Sequence, residues 1–288
     1  MKVARSPQEL GGGPRAVALG TFDGVHLGHR RVIETALEAV GAPTVVTFDP
    51  HPRTAFGNRV ELLTTLERRL ELLAELGVEA ALVVEFTLDL ARLEPEEFAE
   101  TVLRPIGAEV VVAGADFRFG RGRKGDLELL RGLGFDVRPV PLVEDVSSSR
   151  IRELVRAGDV EGAAKRLGRP VEVEGTVVAG EARGGTLGFP TANLDVRPEL
   201  LVPGNGIYAG GAAEHRAAIS IGTNPHYGGH ERRVEAYLLE FSGDLYGQRL
   251  VVELWQRLRD EQAFETENEL IRQIEADVEL ARQAERPA

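Results

Sequence analysis

Five short apolar runs alternate with helix-period stretches over the first half of the 288-residue chain, and no other feature limits the possible folds as much. The runs are "RAVALG" (15–20), "APTVVTF" (42–48), "EAALVVEF" (79–86), "AEVVVAG" (108–114) and "FDVRPVPLV" (135–143). Between them, "HRRVIETALEAVG" and "TLERRLELLAELG" space their apolar residues by three and four, and the second ends at Gly77, a residue suited to closing a helix. Strand and helix in repeated alternation predict a parallel sheet wrapped by helices, and right-handed crossovers make it doubly wound. Strands that are apolar throughout fit a sheet buried on both faces.

The pattern changes after the helical segment "SRIRELVRAGDVEGAAKRLG". "RPVEVEGTVVAG", "GIYAGGAAE", "HRAAISIG", "VEAYLLEF" and "QRLVVELWQRLR" follow one another with Gly, Pro and Asn between them and no intervening helix, which predicts an antiparallel sandwich or small barrel. A final helix is expected over "ETENELIRQIEADVELARQA", with Thr266 and Glu269 spaced as a capping box. Single cores stop growing near ~250–300 residues, so two domains are expected, 1–168 and 169–288.

Composition excludes several functions. Lys and Arg number 34 against 46 Asp and Glu, a formal charge of −12, which argues against non-specific binding to nucleic acid or an anionic membrane. There is no cysteine, hence no disulfide, thiolate nucleophile or Cys-ligated metal. The start "MKVARSPQELGGGPR" lacks the apolar core of a secretory signal, and no run reaches the ~18 apolar residues of a membrane span; a cytoplasmic protein is expected.

"GTFDGVHLGH", Gly20 to His29, follows the first predicted strand, where open α/β sheets place their ligands. Gly20 and Gly24 let the backbone approach a ligand closely, and the helix that follows offers free N–H groups to a phosphate. His26 and His29, three apart at the helix entrance, can face one polyphosphate together. Zinc is the alternative for two such histidines, but no third ligand is evident. The stretch is neither a G-x-G-x-x-G fingerprint nor a Walker loop.

Three further segments fall at predicted strand ends or a helix entrance. "VSSSRIR" supplies the hydroxyls of Ser147, Ser148 and Ser149, which could equally cap the helix, and the permanent charge of Arg152. "FDPHPR" (48–53) contains His51, and "GADFRFGRGRKGD" (114–126) offers the aromatic faces of Phe117 and Phe119 ahead of a basic run. In the second half, "GGTLGFPTANL" carries Pro190, Thr191 and Asn193, whose hydroxyl and amide oxygens are hard donors suited to Mg²⁺ beside nucleotide phosphates. Glu235 in "VEAYLLEF" is either an exposed, ion-paired strand residue or a base for an attacking hydroxyl.

The first stretch is similar to the H-x-G-H signature of the nucleotidyltransferase superfamily, and "VSSSRIR" to its I-S-S-T-x-x-R signature. Taken in order with "FDPHP", "GADFRFG", "LGFPTANL", "GIYA", "IGTNP", "VEAYLLEF" and "DLYG", they make nearly the whole chain resemble the prokaryotic bifunctional riboflavin kinase/FAD synthetases. Another adenylyltransferase of that superfamily, one for pantetheine or nicotinamide mononucleotide, would leave 170–288 unexplained.

The resemblance implies an N-terminal nucleotidyltransferase domain that transfers AMP from ATP to FMN, giving FAD and pyrophosphate. It also implies a C-terminal flavokinase barrel that phosphorylates riboflavin to FMN; the alternative is a single-activity adenylyltransferase whose second domain only binds flavin. Gly20, Thr21, Phe22, Asp23, Gly24, His26, His29, Ser147, Ser148, Ser149 and Arg152 would border ATP in the first site, with His26 and His29 stabilising phosphate charge. His51, Asp116, Phe117, Phe119 and Arg259 would border flavin. Gly175, Gly188, Pro190, Thr191 and Asn193 would bind ATP in the kinase, Thr191 and Asn193 through Mg²⁺, with Glu235 as base. The expected partners are small molecules only, with no nucleic acid and no membrane, and the oligomeric state is left open. Family members carry Arg where this chain has Gly185, next to which the nearest arginine is Arg183, and Thr-Phe where it has His226-Tyr227.

Overall fold

A computed structural model describes residues 1–180, 188–223 and 232–287; Arg183, Gly185, His226 and Tyr227 lie outside the described residues. The chain forms two compact units, Met1–Ser148 and Ser149–Ala288.

The first unit holds strands β1 (Lys2–Ala4), β2 (Arg15–Leu19), β3 (Ala42–Asp49), β4 (Ala80–Glu85), β5 (Ala108–Gly114) and β6 (Asp136–Val140). They form one sheet in the order β1-β4-β3-β2-β5-β6, with every pairing parallel. The connections carry helices α1 (Pro7–Leu10), α2 (Leu27–Leu37), α3 (Pro52–Ala55), α4 (Leu66–Glu75), α5 (Pro95–Phe98) and α6 (Leu127–Gly132). Successive strand side chains point to opposite faces, so Val17, Leu19, Val46 and Val111 enter one core while Ala16, Ala18, Val45 and Val112 enter the other. The sheet is thus buried on both faces, as its uniformly apolar strands predict. The sixth strand, β1, is an addition to the five expected; its three residues are too few to show a period.

The second unit begins with α7 (Ser148–Ala157, whose first residue closes the first unit) and α8 (Val160–Leu167). Strands β7 (Val171–Val178), β8 (Ala192–Asp195), β9 (Gly206–Ala212), β10 (His215–Thr223), β11 (Arg232–Leu238) and β12 (Arg249–Arg259) follow. They close into an antiparallel barrel in the order β10-β11-β8-β7-β12-β9. The division at Ser148 precedes the boundary expected after Gly168, because α8 buries Val160, Ala163, Ala164 and Leu167 and packs on β7 and β12. β8 is an addition to the strands expected in this half; it is short and half polar.

The C-terminal helix (Glu267–Gln283) opens with the expected capping box: the Glu269 N–H donates to Thr266 Oγ1 at 3.2 Å, and the Thr266 N–H to Glu269 Oε2 at 3.3 Å. It packs on β9 and β10, with Ala281 buried against Ala209 and Trp255. Arg216 lies over the Trp255 ring and donates to the Ala284 carbonyl, so a cation meets the carbonyl end of the helix.

Candidate functional site

In the sheet of the first unit the chain runs from β2 outward through β3 and β4, then returns to the other side of β2 to form β5 and β6. The carboxyl ends of β2 and β5 therefore flank the point where strand order reverses, the preferred ligand crevice of an open α/β sheet. β2 leads into "GTFDGVHLGH" and β5 into "GADFRFG".

The first loop is held from behind at almost every residue. Thr21 offers its carbonyl to Thr47 Oγ1 at 2.9 Å and to Arg69 Nη1 at 3.1 Å. Phe22 takes φ +54°, a strained value for a bulky residue, and its ring is 1% exposed beneath Gly20. Asp23, also 1% exposed, accepts the Leu63 N–H at 3.0 Å and the Thr64 N–H at 3.2 Å. Gly24 has φ +84°, and a Cβ there would lie 2.7 Å from the Leu63 side chain. The Ser148 hydroxyl donates to the Asp23 carbonyl at 3.1 Å.

His26 caps α2, its Nδ1 accepting the His29 N–H at 3.2 Å. The two imidazoles stack with centroids 3.6 Å apart and planes 13° from parallel, and Phe22 meets His29 edge-on at 5.2 Å. The sequence spacing thus becomes one paired surface at a helix N-terminus, where an anion is favoured by both dipole and free N–H groups. Among the described residues no group of three His, Asp or Glu is placed to hold a metal.

The other motif residues of this unit separate by burial. His51 caps α3, its Nδ1 accepting the Arg53 N–H at 3.2 Å. Asp116 is exposed beyond β5, and Phe117 is half-buried. Phe119 is a core residue, 7% exposed, packed on Phe98 at 5.6 Å and stacked with Phe117 at 5.9 Å. Ser147 is exposed. In the second unit Ser149 is exposed on α7 and Arg152 is buried on it.

In the barrel, β8 and β11 pair so that Glu235 stands directly opposite Asn193. The Thr191 hydroxyl donates to Glu235 Oε2 at 3.3 Å, and Arg233 Nη1 to Oε1 at 3.4 Å. Asn193 donates its amide N–H to the Thr191 carbonyl at 3.4 Å, which leaves its own amide oxygen for another partner. The three predicted residues are therefore brought together, with an arginine the sequence reading did not single out. Gly188 has φ +90° and Pro190 is exposed, just ahead of Thr191. Gly175 serves strand packing: a Cβ on it would lie 2.6 Å from the Asp195 carbonyl.

Arg259 ends β12 with its guanidinium on Asp277 of the C-terminal helix, Nη2 to Oδ2 at 2.7 Å and Nε to Oδ1 at 3.0 Å; Asp277 is 4% exposed. This fork ties helix to barrel. Near it, the Asn205 amide donates to Glu261 at 3.1 Å and Arg257 to the Asn205 carbonyl at 2.7 Å, joining "GNGIYA" to "LRDEQAF". Beside them Tyr208 is fully buried, and burial raises its phenol pKa against the opposing pull of Arg257.

Arg69, on α4, was also missed. It is completely buried; burial pushes its guanidinium pKa down, opposed by the Asp23 and Asp49 carboxylates. The three-and-four spacing of apolar residues in "TLERRLELLAELG" does not single it out: Arg68 pairs with Glu71 and Glu75, while the adjacent Arg69 is buried completely.

A crevice at the switch point of a parallel sheet and a closed barrel with a clustered hydroxyl, amide and carboxylate are the two modules of a transferase, the class to which both family models below belong. Residues 12–152 match the family model described as FAD synthetase, and residues 167–285 the one described as riboflavin kinase. The chain belongs to the family of bifunctional riboflavin kinase/FMN adenylyltransferases. Proteins of that name from Listeria monocytogenes and Bacillus subtilis are 36% and 35% identical to it, over 91% and 92% of this chain and 90% of each relative. The one from Escherichia coli is 33% identical over 98% of this chain and 97% of its own. A crystal structure described as a macrolide-efflux protein from Streptococcus pneumoniae superposes with TM-score 0.89 at 32% identity, covering 98% of this chain and 99% of that one. Among the described residues no helix is long and apolar enough to cross a membrane.

Proposed function

We propose that this chain makes FAD from riboflavin in two ATP-dependent steps. In the first, the barrel module transfers the γ-phosphoryl group of ATP to the riboflavin 5′-hydroxyl. In the second, the parallel-sheet module transfers AMP to the FMN phosphate and releases pyrophosphate. The division of labour assigned to the sequence is 1–168 for adenylyl transfer and 169–288 for the kinase, supported by the two family models and their order. The observation that carries the reading is the presence of both arrangements in one chain: His26 and His29 stacked at the crevice, and Glu235 opposite Asn193 beside Thr191.

In the kinase, Glu235 takes the proton of the attacking hydroxyl as the O–P bond forms and ADP leaves. Thr191 and Asn193 present hard oxygen donors next to that carboxylate, a set that fits Mg²⁺. When bound, Mg²⁺ neutralises charge on the ATP phosphates. Gly175, Gly188 and Pro190 shape the backbone around that position.

In adenylyl transfer no side chain needs to act as nucleophile, because the FMN phosphate itself attacks the α-phosphorus. His26 and His29 donate to the phosphates as negative charge shifts onto the leaving pyrophosphate. The Gly20–Gly24 backbone and Ser148 border the nucleotide, while His51, Asp116 and Phe117 border the flavin. A reaction confined to soluble small molecules suits a cytoplasmic enzyme.

The test is a time course with riboflavin, ATP and Mg²⁺. FMN appearing first and FAD after it is the expected result. Untouched riboflavin, with added FMN still converted to FAD, would reduce the assignment to a single activity.

A further inference from the structure

We propose that Arg69, which belongs to none of the phosphate-facing motifs, is a positioning residue for adenylyl transfer: it locks the Thr21 carbonyl, and through it the Phe22–His29 ring pair, to the end of β3. The inference rests on the adenylyl-transfer reading given above and concerns the machinery behind that site.

The hydrogen bonds converge on one nitrogen. Arg69 Nη1 lies 3.1 Å from the Thr21 carbonyl, 3.1 Å from the Phe48 carbonyl and 3.3 Å from Thr47 Oγ1. Thr47 in turn donates to the Thr21 carbonyl, so the ends of two neighbouring central strands meet at a single node. One of those strands runs into "GTFDGVHLGH" and the other into "FDPHPR". A guanidinium reaching from α4 sets the spacing between the two loops.

The cost of the arrangement argues for more than filling space. Arg69 has no exposed surface, and its Nε and Nη2 face no hydrogen-bond partner. A buried cation so poorly matched is expensive, and an apolar side chain would fill the volume with fewer losses. What an apolar residue cannot do is hold a loop whose next residue, Phe22, sits at positive φ. Relaxation of that strain would swing the Phe22 ring, which lies edge-on against His29. Displacement of a positioned group by about 1 Å can cost a factor of ~10² in rate.

The experiment compares R69M, R69K and T47V in the full chain, each also combined with H29A, and follows FMN conversion to FAD and riboflavin phosphorylation side by side. R69K and T47V should lower kcat for FAD formation roughly tenfold, with a smaller change in the KM for ATP and unchanged FMN formation. In the H29A background the same substitutions should cost less than about twofold, because they act through the group already removed. R69M should exceed R69K in effect; if it does not fold, R69K and T47V decide. FAD formation within about twofold of the parent in both variants, or a full additional loss on top of H29A, overturns the inference. A parent chain that makes no FAD from FMN overturns the reading and the inference together, whereas a parent that makes FAD while its variants keep pace overturns the inference alone.

Discussion

The imidazoles of His26 and His29 lie face to face at 3.6 Å, and the ring nitrogen of the first accepts the backbone N–H of the second. One histidine therefore orients the other: His26 spends Nδ1 on the helix cap and so fixes the backbone from which the His29 ring projects.

H29A should lower FAD formation by about 10²–10³-fold, the usual cost of removing one preorganised donor from a phosphate or oxyanion site. FMN formation by the same preparation should hold. An equal fall in both products, read from a single flavin chromatogram, would break the two-site assignment.

E235Q keeps the shape of the strand and removes the proton acceptor. Riboflavin phosphorylation should drop by about 10²–10⁴-fold while supplied FMN is still adenylylated. Retained phosphorylation would return Glu235 to the simpler role of an ion-paired strand residue beside Arg233.

D277N strips the carboxylate from Arg259 with almost no change in volume. Loss of one partner from a buried pair should destabilise the barrel unit by roughly 3 kcal/mol, a fall in midpoint on the order of 10 °C. Hydrogen exchange over Glu267–Gln283 should accelerate before that of β7 or β12. An unchanged melting curve would mean that the helix is held by its apolar face alone.

Tyr208 predicts an alkaline limit. Its pKa is raised above the ordinary value of 10.0, chiefly by burial, so folding favours the protonated phenol. The stability this supplies is complete below about pH 10 and is lost as pH rises through the higher, folded value. Y208F has no proton to lose, and its denaturant midpoint should fall less steeply from pH 9 to 11. Parallel curves for the two proteins would assign the alkaline loss elsewhere.

How much of this was legible in the sequence depended on residue type and segment length. The parallel sheet showed as short, uninterrupted apolar runs alternating with helix-period stretches, and the histidine pair as residues with no place in a strand-to-helix turn. β1 and β8 were too short to carry a period. Asp277 looks like any acidic residue of a charged helix until Arg259, 18 positions earlier, is seen to reach it. Arg69 hides for the same reason beside Arg68: sequence gives adjacent helical residues about a quarter-turn apart, but only packing says which one faces the sheet. Asp23, Phe22 and Phe119 lie within motifs, yet their side chains are spent on the loop and the core, so a motif marks a place more reliably than it marks each side chain's task.

The closed order of the barrel has a consequence for how such a site can change over time. With no free edge, a strand cannot slide past its neighbour without every other pairing in the ring giving way. A one-residue insertion within β8 or β11 would flip alternate side chains between inside and outside and part Asn193 from Glu235. Length variation in this module is therefore confined to its connections, and lineages can lengthen or trim those connections while the pairing of Asn193 with Glu235 is inherited unchanged.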